Sequence, residues 1–160
     1  MRIGEIAILG PSNEEKRLFI QSACQKLELA NDNMTFGRFP VNDQLVLHLY
    51  GVALTSGAPP VAWDLLARKM LGYIVLFPWQ DPDSFERLKP VLDQLTMRYD
   101  ATIIVAAHVA NGKLSVPPAL HDEGIALSTE GKFMFCDVRQ PASVKKILLT
   151  LIESLLDKIS

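Results

Sequence analysis

The chain is 160 residues long, enough for one domain with a proper core and cramped for two, so a single domain over 1–160 is expected. A formal net charge of −2 and no block of Lys and Arg exclude the electrostatic footprint of a nucleic-acid binder or of a protein held on an anionic membrane. Cys24 and Cys136 are too far apart for a CxxC motif, and no basic segment precedes an apolar stretch at the start, so a reducing, cytoplasmic setting is expected.

Glu5 to Leu9 is a short apolar run closed by Gly10, which predicts a buried strand. Lys16 to Leu29 predicts a helix with Leu18, Phe19, Ala23 and Leu27 on one face. Ala30 to Asn33 reads as loop. Met34 to Phe39 and Gln44 to Gly51 flank Pro40-Val41-Asn42-Asp43, the pattern of an antiparallel hairpin. Val52 to Val61 is a loop of Gly, Pro and small residues, and Ala62 to Met70 predicts a short helix. Gly72 to Phe77 is a buried strand stopped by Pro78. A helix over Asp83 to Tyr99, a strand over Thr102 to Ala107, a helical turn over Pro117 to Glu123 and a strand over Lys132 to Cys136 follow. Pro141 opens the last helix, where Val144, Ile147, Leu148, Leu151, Ile152, Leu155 and Leu156 keep a 3.6-residue period. Apolar strands alternating with amphipathic helices predict a three-layer α/β fold. Its sheet is expected to have six strands, mostly parallel, with one antiparallel edge strand. The longest apolar runs are far too short to cross a membrane, and no membrane insertion is expected.

Ligands of open α/β sheets bind at the carboxyl ends of the strands. The first exit is Gly10-Pro11-Ser12-Asn13-Glu14-Glu15-Lys16-Arg17. Against the phosphate-loop pattern GxxxxGK[ST], Gly10 and Lys16 are in register. Glu15 takes the second Gly position and Arg17 the Ser/Thr position, so a carboxylate stands where an anion would sit. Two like charges at about 4 Å cost about 4 kcal/mol at a surface-like dielectric, roughly a thousandfold in affinity. Ser12 and Glu15 also form an S-x-x-E capping box, and Glu14 and Glu15 suit the positive end of a helix dipole. The helix start would then be satisfied without a phosphate, although Lys16 and Arg17 still offer an anion weak attraction. The three histidines are isolated in sequence, so no metal site is expected.

GPSNEEK with Phe19-Ile20, Met34-Thr35-Phe36-Gly37, Leu49-Tyr50-Gly51, Trp63-Asp64-Leu65-Leu66, Gly72-Tyr73-Ile74-Val75-Leu76 and Asp81-Pro82-Asp83-Ser84-Phe85 come in a telling order. Val105-Ala106-Ala107, Cys136-Asp137 and Ser143-Val144-Lys145 complete the series. Over nearly its whole length the chain resembles the bacterial branch of Ras-like small GTPases, which implies a P-loop GTPase fold. The resemblance also implies nucleotide motifs, and the chain departs from nearly all of them. The Mg²⁺-ligating Thr of the first switch would fall near Ala30 or Asn31. The γ-phosphate-sensing turn is Val52-Ala53-Leu54-Thr55. The guanine motif NKxD is His108-Val109-Ala110-Asn111, in which Asn111 replaces the base-reading carboxylate. Asp137 falls where the family has a loop residue near the base, or caps the turn before the last helix.

What the resemblance implies is a pseudo-GTPase: a protein-binding module in signalling, with no catalytic residue and no cofactor. The alternative is weak or atypical binding of GTP or GDP with magnesium. The degenerate nucleotide positions are Gly10, Ser12, Glu14, Glu15, Lys16, Arg17, His108, Asn111 and Asp137. The switch-equivalent partner surface would comprise Phe36, Val52, Leu54, Pro59, Pro60 and Val61, an uncharged set of the kind found at interfaces. The partner implied is a Roadblock-type regulator or a second copy of the chain. Two readings of the loop stay open: it presents that surface, or it folds into the vacated nucleotide pocket.

Overall fold

The computed structural model describes residues 2–24, 27–30, 34–52, 70–81, 83, 84, 86–88, 90, 102–109, 125–128 and 131–159. The strands are β1 (Arg2–Leu9), β2 (Leu29–Ala30), β3 (Met34–Pro40), β4 (Leu45–Val52), β5 (Gly72–Pro78), β6 (Thr102–His108), β7 (Ile125–Ser128) and β8 (Gly131–Cys136). The helices are α1 (Asn13–Cys24), a helical stretch α2 at residues 83, 84, 86–88 and 90, and α3 (Pro141–Ile159). The expected helix over 62–70 lies outside the described residues, except Met70, which is not helical, and so do residues 91–99 of the expected helix over 83–99 and the expected helical turn over 117–123.

One sheet has the order β2-β3-β4-β1-β5-β6-β8-β7. Its inner five strands, β4, β1, β5, β6 and β8, are parallel. The hairpin strand β3 is antiparallel to β4, as expected from the turn at 40–43, where Asn42 Oδ1 accepts from the Gln44 and Leu45 amides at 2.8 and 3.0 Å. The six expected strands are all present, but the sheet is wider than six. Two short strands, β2 on β3 and β7 on β8, add antiparallel edges. Ala30 therefore lies in a strand rather than in the expected loop, because the outer edge of β3 offers it backbone partners: Ala30 pairs with Thr35, and the Glu28 amide donates to the Phe36 carbonyl. Leu27 to Leu29, the end of the expected helix, are likewise not helical. β1 starts at Arg2 rather than Glu5, since its register with β4 extends back to Arg2–Leu45.

The sheet has a core on each face. On one, Ile6, Ile8, Leu47, Leu49, Ile74 and Ile104 pack against Phe19 and Ile20 of α1 and Val144, Ile147, Leu148 and Leu151 of α3. On the other, Tyr73, Val75, Phe77, Ile103 and Val105 pack with Leu88 of α2. β5 and β6 are buried along almost their whole length, which explains their unbroken apolar sequences. Gly37 lets α1 lie close on β3: a Cβ there would come within 3.0 Å of Ile20 and of Cys24. Leu156, which keeps the helical period of α3, is 60% exposed and lines a groove. Among the described residues no helix is long and apolar enough to cross a membrane.

Candidate functional site

The chain turns one way from β1 to reach β4 and the other way from β4 to reach β5, so the carboxyl ends of β1 and β5 flank the switch point of the sheet. The loop after β1 opens directly into α1. Gly10 is set tightly against β5, where an added Cβ would press into the Leu76 carbonyl. Ser12 caps α1: its Oγ accepts from the Glu15 amide at 3.2 Å, and its carbonyl accepts from the Lys16 amide at 3.2 Å. The helix therefore starts at Asn13, three residues before the expected Lys16, because the cap sets the first turn.

The return arm of the capping box is not closed through Glu15 Oε1. That oxygen is buried and has no hydrogen-bond partner among the described residues. Burial, and then the neighbouring Glu14 charge, push the Glu15 carboxyl above the usual carboxylate range. Burial also raises the Cys136 thiol, with the Asp137 and Glu15 charges adding to it. The Glu15 carboxylate thus makes itself felt at the end of β8. Lys16 follows it in the first turn of α1 and is 2% exposed, lying against Gly51 at the end of β4. Burial lowers its amine to about 8. Arg17, the next residue, is exposed.

The exits of β6 and β8 are tied to each other and to α1. His108 Nδ1 accepts from the Val138 amide at 3.2 Å, so that nitrogen carries no proton. Burial lowers the His108 pKa, opposed by the nearby Asp137. The Val138 carbonyl accepts from Ser22 Oγ of α1 at 2.5 Å. Asp137 Oδ1 accepts from the Arg139 amide at 3.0 Å, and the Asp137 amide donates to Ser143 Oγ at 2.9 Å. Of the two roles open for Asp137, capping the turn before the last helix is the one these bonds describe.

The structure thus gathers Gly10, Ser12, Glu14, Glu15, Lys16, Arg17, His108 and Asp137 at the carboxyl end of the sheet. Asn111, Leu54, Pro59, Pro60 and Val61 lie outside the described residues, as does the side chain of Val52. Phe36 of β3 stands on the sheet face opposite α1, its ring 5.0 Å from Tyr50 and 5.2 Å from His48. Sequence reading missed His48 and Tyr50 as its companions; the hairpin register, Phe36 opposite Tyr50 and Arg38 opposite His48, is the signal that finds them. Both cysteines are free thiols. No group of three or more metal-ligating side chains occurs among the described residues.

Two positions of the phosphate-loop register read from the sequence are altered at the β1 exit. The second Gly position carries Glu15, one oxygen of which is buried with no hydrogen-bond partner among the described residues, and the Ser/Thr position carries Arg17. The Ser12 cap has its own checkable energy. Ser12→Ala should cost about 1 kcal/mol in urea unfolding; an unchanged midpoint would mean that the first turn of α1 does not depend on this hydroxyl. No protein-family model matches the chain, and no curated protein matches it.

Proposed function

We propose that the chain is a pseudo-GTPase of small-GTPase-like, P-loop fold, a signalling module that binds a protein partner and hydrolyses no nucleotide. The reading rests above all on Glu15. Its carboxylate, with Oε1 buried and unpartnered among the described residues, falls in sequence at the second Gly position of a loop that otherwise keeps the Gly10–Lys16 register. The parallel sheet with its antiparallel hairpin strand, and the loop that leads from the first strand straight into a capped helix, support the fold assignment. His108, at the first position of the altered guanine motif, is turned to the Val138 amide, which supports the loss of base reading at that strand exit. The partner surface we infer is the switch-equivalent face around Phe36. The partner is a Roadblock-type regulator or a second copy, in the cytoplasm.

The test is a thermal-shift titration with Mg²⁺ and GTP, GDP or ATP. A ligand at a hundred times its Kd adds about 2.7 kcal/mol, which for a chain of this size is a rise of roughly 5–11 °C. We expect no rise. The second reading, weak GTP or GDP binding with magnesium, has Lys16 in its favour, and a nucleotide-dependent rise would select it. The double variant Glu15→Gly, Arg17→Thr should also fail to reach micromolar affinity for guanine nucleotides, because the base-reading residues are altered as well.

A further inference from the structure

The exposed apolar surface is concentrated at the other end of the sheet. Among the described residues, Ile3, Leu71, Trp79, Leu149 and Leu156 are the exposed large hydrophobic side chains. Three of the five, Ile3 at 57%, Leu71 at 48% and Leu156 at 60%, line one groove of about 930 Å³ at the amino ends of β1, β4 and β5. Its floor is Leu45, Leu47, Ile152 and Leu155. Leu149 stands two turns before Leu156 on the same side of α3. Isolated exposed leucines are ordinary, but a contiguous set around a groove marks a contact surface.

The polar lip of the groove indicates what covers it. Several of its backbone donors are engaged: the Gln44 and Leu45 amides bond to Asn42 Oδ1, and the Arg2 amide bonds to the Gln44 carbonyl. The lip also carries one charge of each sign, Arg2 and Asp43, and neither forms an ion pair with a described residue. A fatty acid or other anionic amphiphile would find the one cation of the lip, Arg2, offset by Asp43. A surface carrying both signs beside an apolar centre complements itself under a two-fold rotation, where residue i meets residue j and j meets i.

We propose that this groove is the interface of a two-fold homodimer. The Leu156 side chain of each copy seats against Leu71 and Ile3 of the other, and Arg2 of each copy pairs with the second copy's Asp43. Exposed Glu153, between Leu149 and Leu156 on α3, disfavours a contact along the full length of two α3 helices, since it would face its own copy. The contact therefore centres on Leu156 and the lip. It lies at the opposite end of the strands from Glu15 and Lys16, so the proposal stands independently of the pseudo-GTPase reading.

Sedimentation velocity from low- to high-micromolar concentration tests it. The wild-type chain should move towards twice its 17.8 kDa mass. Leu156→Asp should stay at the single-chain mass with an unchanged circular dichroism spectrum, since the side chain is mostly solvated. Arg2→Asp should raise the dimer Kd about tenfold, an effect of about 1.4 kcal/mol. Adding Asp43→Arg to it should restore wild-type association. A wild-type chain that remains at single-chain mass throughout, with or without a copurified lipid, overturns the proposal. So does a dimer indifferent to Leu156→Asp, and so does a charge exchange that fails to restore association.

Discussion

Lys16→Met should stabilise the protein by about 2 kcal/mol at pH 7, raising Tm by roughly 4–8 °C. A lysine amine in water titrates near 10.5, and burial holds that of Lys16 at about 8. The displacement corresponds to about 3 kcal/mol against the charged form. Methionine fills the same narrow space without a charge, while losing the polar contact of the amine takes back about 1 kcal/mol. The sign follows from proton linkage. Between about pH 8 and 10.5 the unfolded chain binds more protons than the folded one, so wild-type stability rises with pH across that window. Below it the full penalty is present. The advantage of the methionine variant should therefore be greatest at pH 7 and disappear by about pH 10.5. Urea unfolding of both proteins at several pH values reads this directly. A methionine variant no more stable than wild type at pH 7 would show that favourable contacts already hold the ammonium group. The result bears on function as well: a phosphate-binding lysine can carry such a cost because its ligand helps to offset it, whereas in the pseudo-GTPase reading no phosphate does.

The parts of this protein that were legible in its sequence are those with a local cause. β5 reads clearly because six consecutive apolar residues run from Gly72 to Phe77 before a proline, and both faces of that strand are covered. The hairpin reads clearly because Asn42 provides its own turn bonds. Ser12 reads as a cap because the S-x-x-E spacing is contained in one helical turn, although Glu15 does not close the box through Oε1. What escaped depends on the rest of the fold. Leu29–Ala30 and Ile125–Ser128 become strands only because β3 and β8 present open edges, and stretches so short carry little periodicity of their own. The bond from Val138 to His108 joins residues 30 apart. The burial of Lys16 depends on the end of β4 arriving beside α1, and no residue near Lys16 announces it. Leu156 shows the same limit from the opposite direction: helical period assigns it a face, but only the extent of the sheet decides whether that face is covered there.

Gly10→Ala should be the most damaging single-atom addition at the site. Gly10 follows β1, whose Leu9 is in register with Val75 of β5, so its α-carbon comes abreast of Leu76. A Cβ there would lie well inside 3.0 Å of the Leu76 carbonyl oxygen and 3.2 Å from its carbon. Both are backbone atoms of a central strand, buried and paired on each side by β1 and β6, so no side chain can swing away to make room. The strands must separate locally, at about 3 kcal/mol, the upper range for overpacking a dense interior. For a chain of this size Tm should fall by roughly 6–12 °C. Gly37→Ala is the informative comparison. Its added Cβ would meet Ile20 and Cys24, which are side chains on a helix that can shift by a few tenths of an ångström, so its cost should be smaller. Thermal unfolding of the two variants side by side separates backbone from side-chain crowding. Equal losses, or a Gly10 variant as stable as wild type, would mean that the β1 exit is looser against β5 than this geometry requires, leaving the loop room to open around an anion.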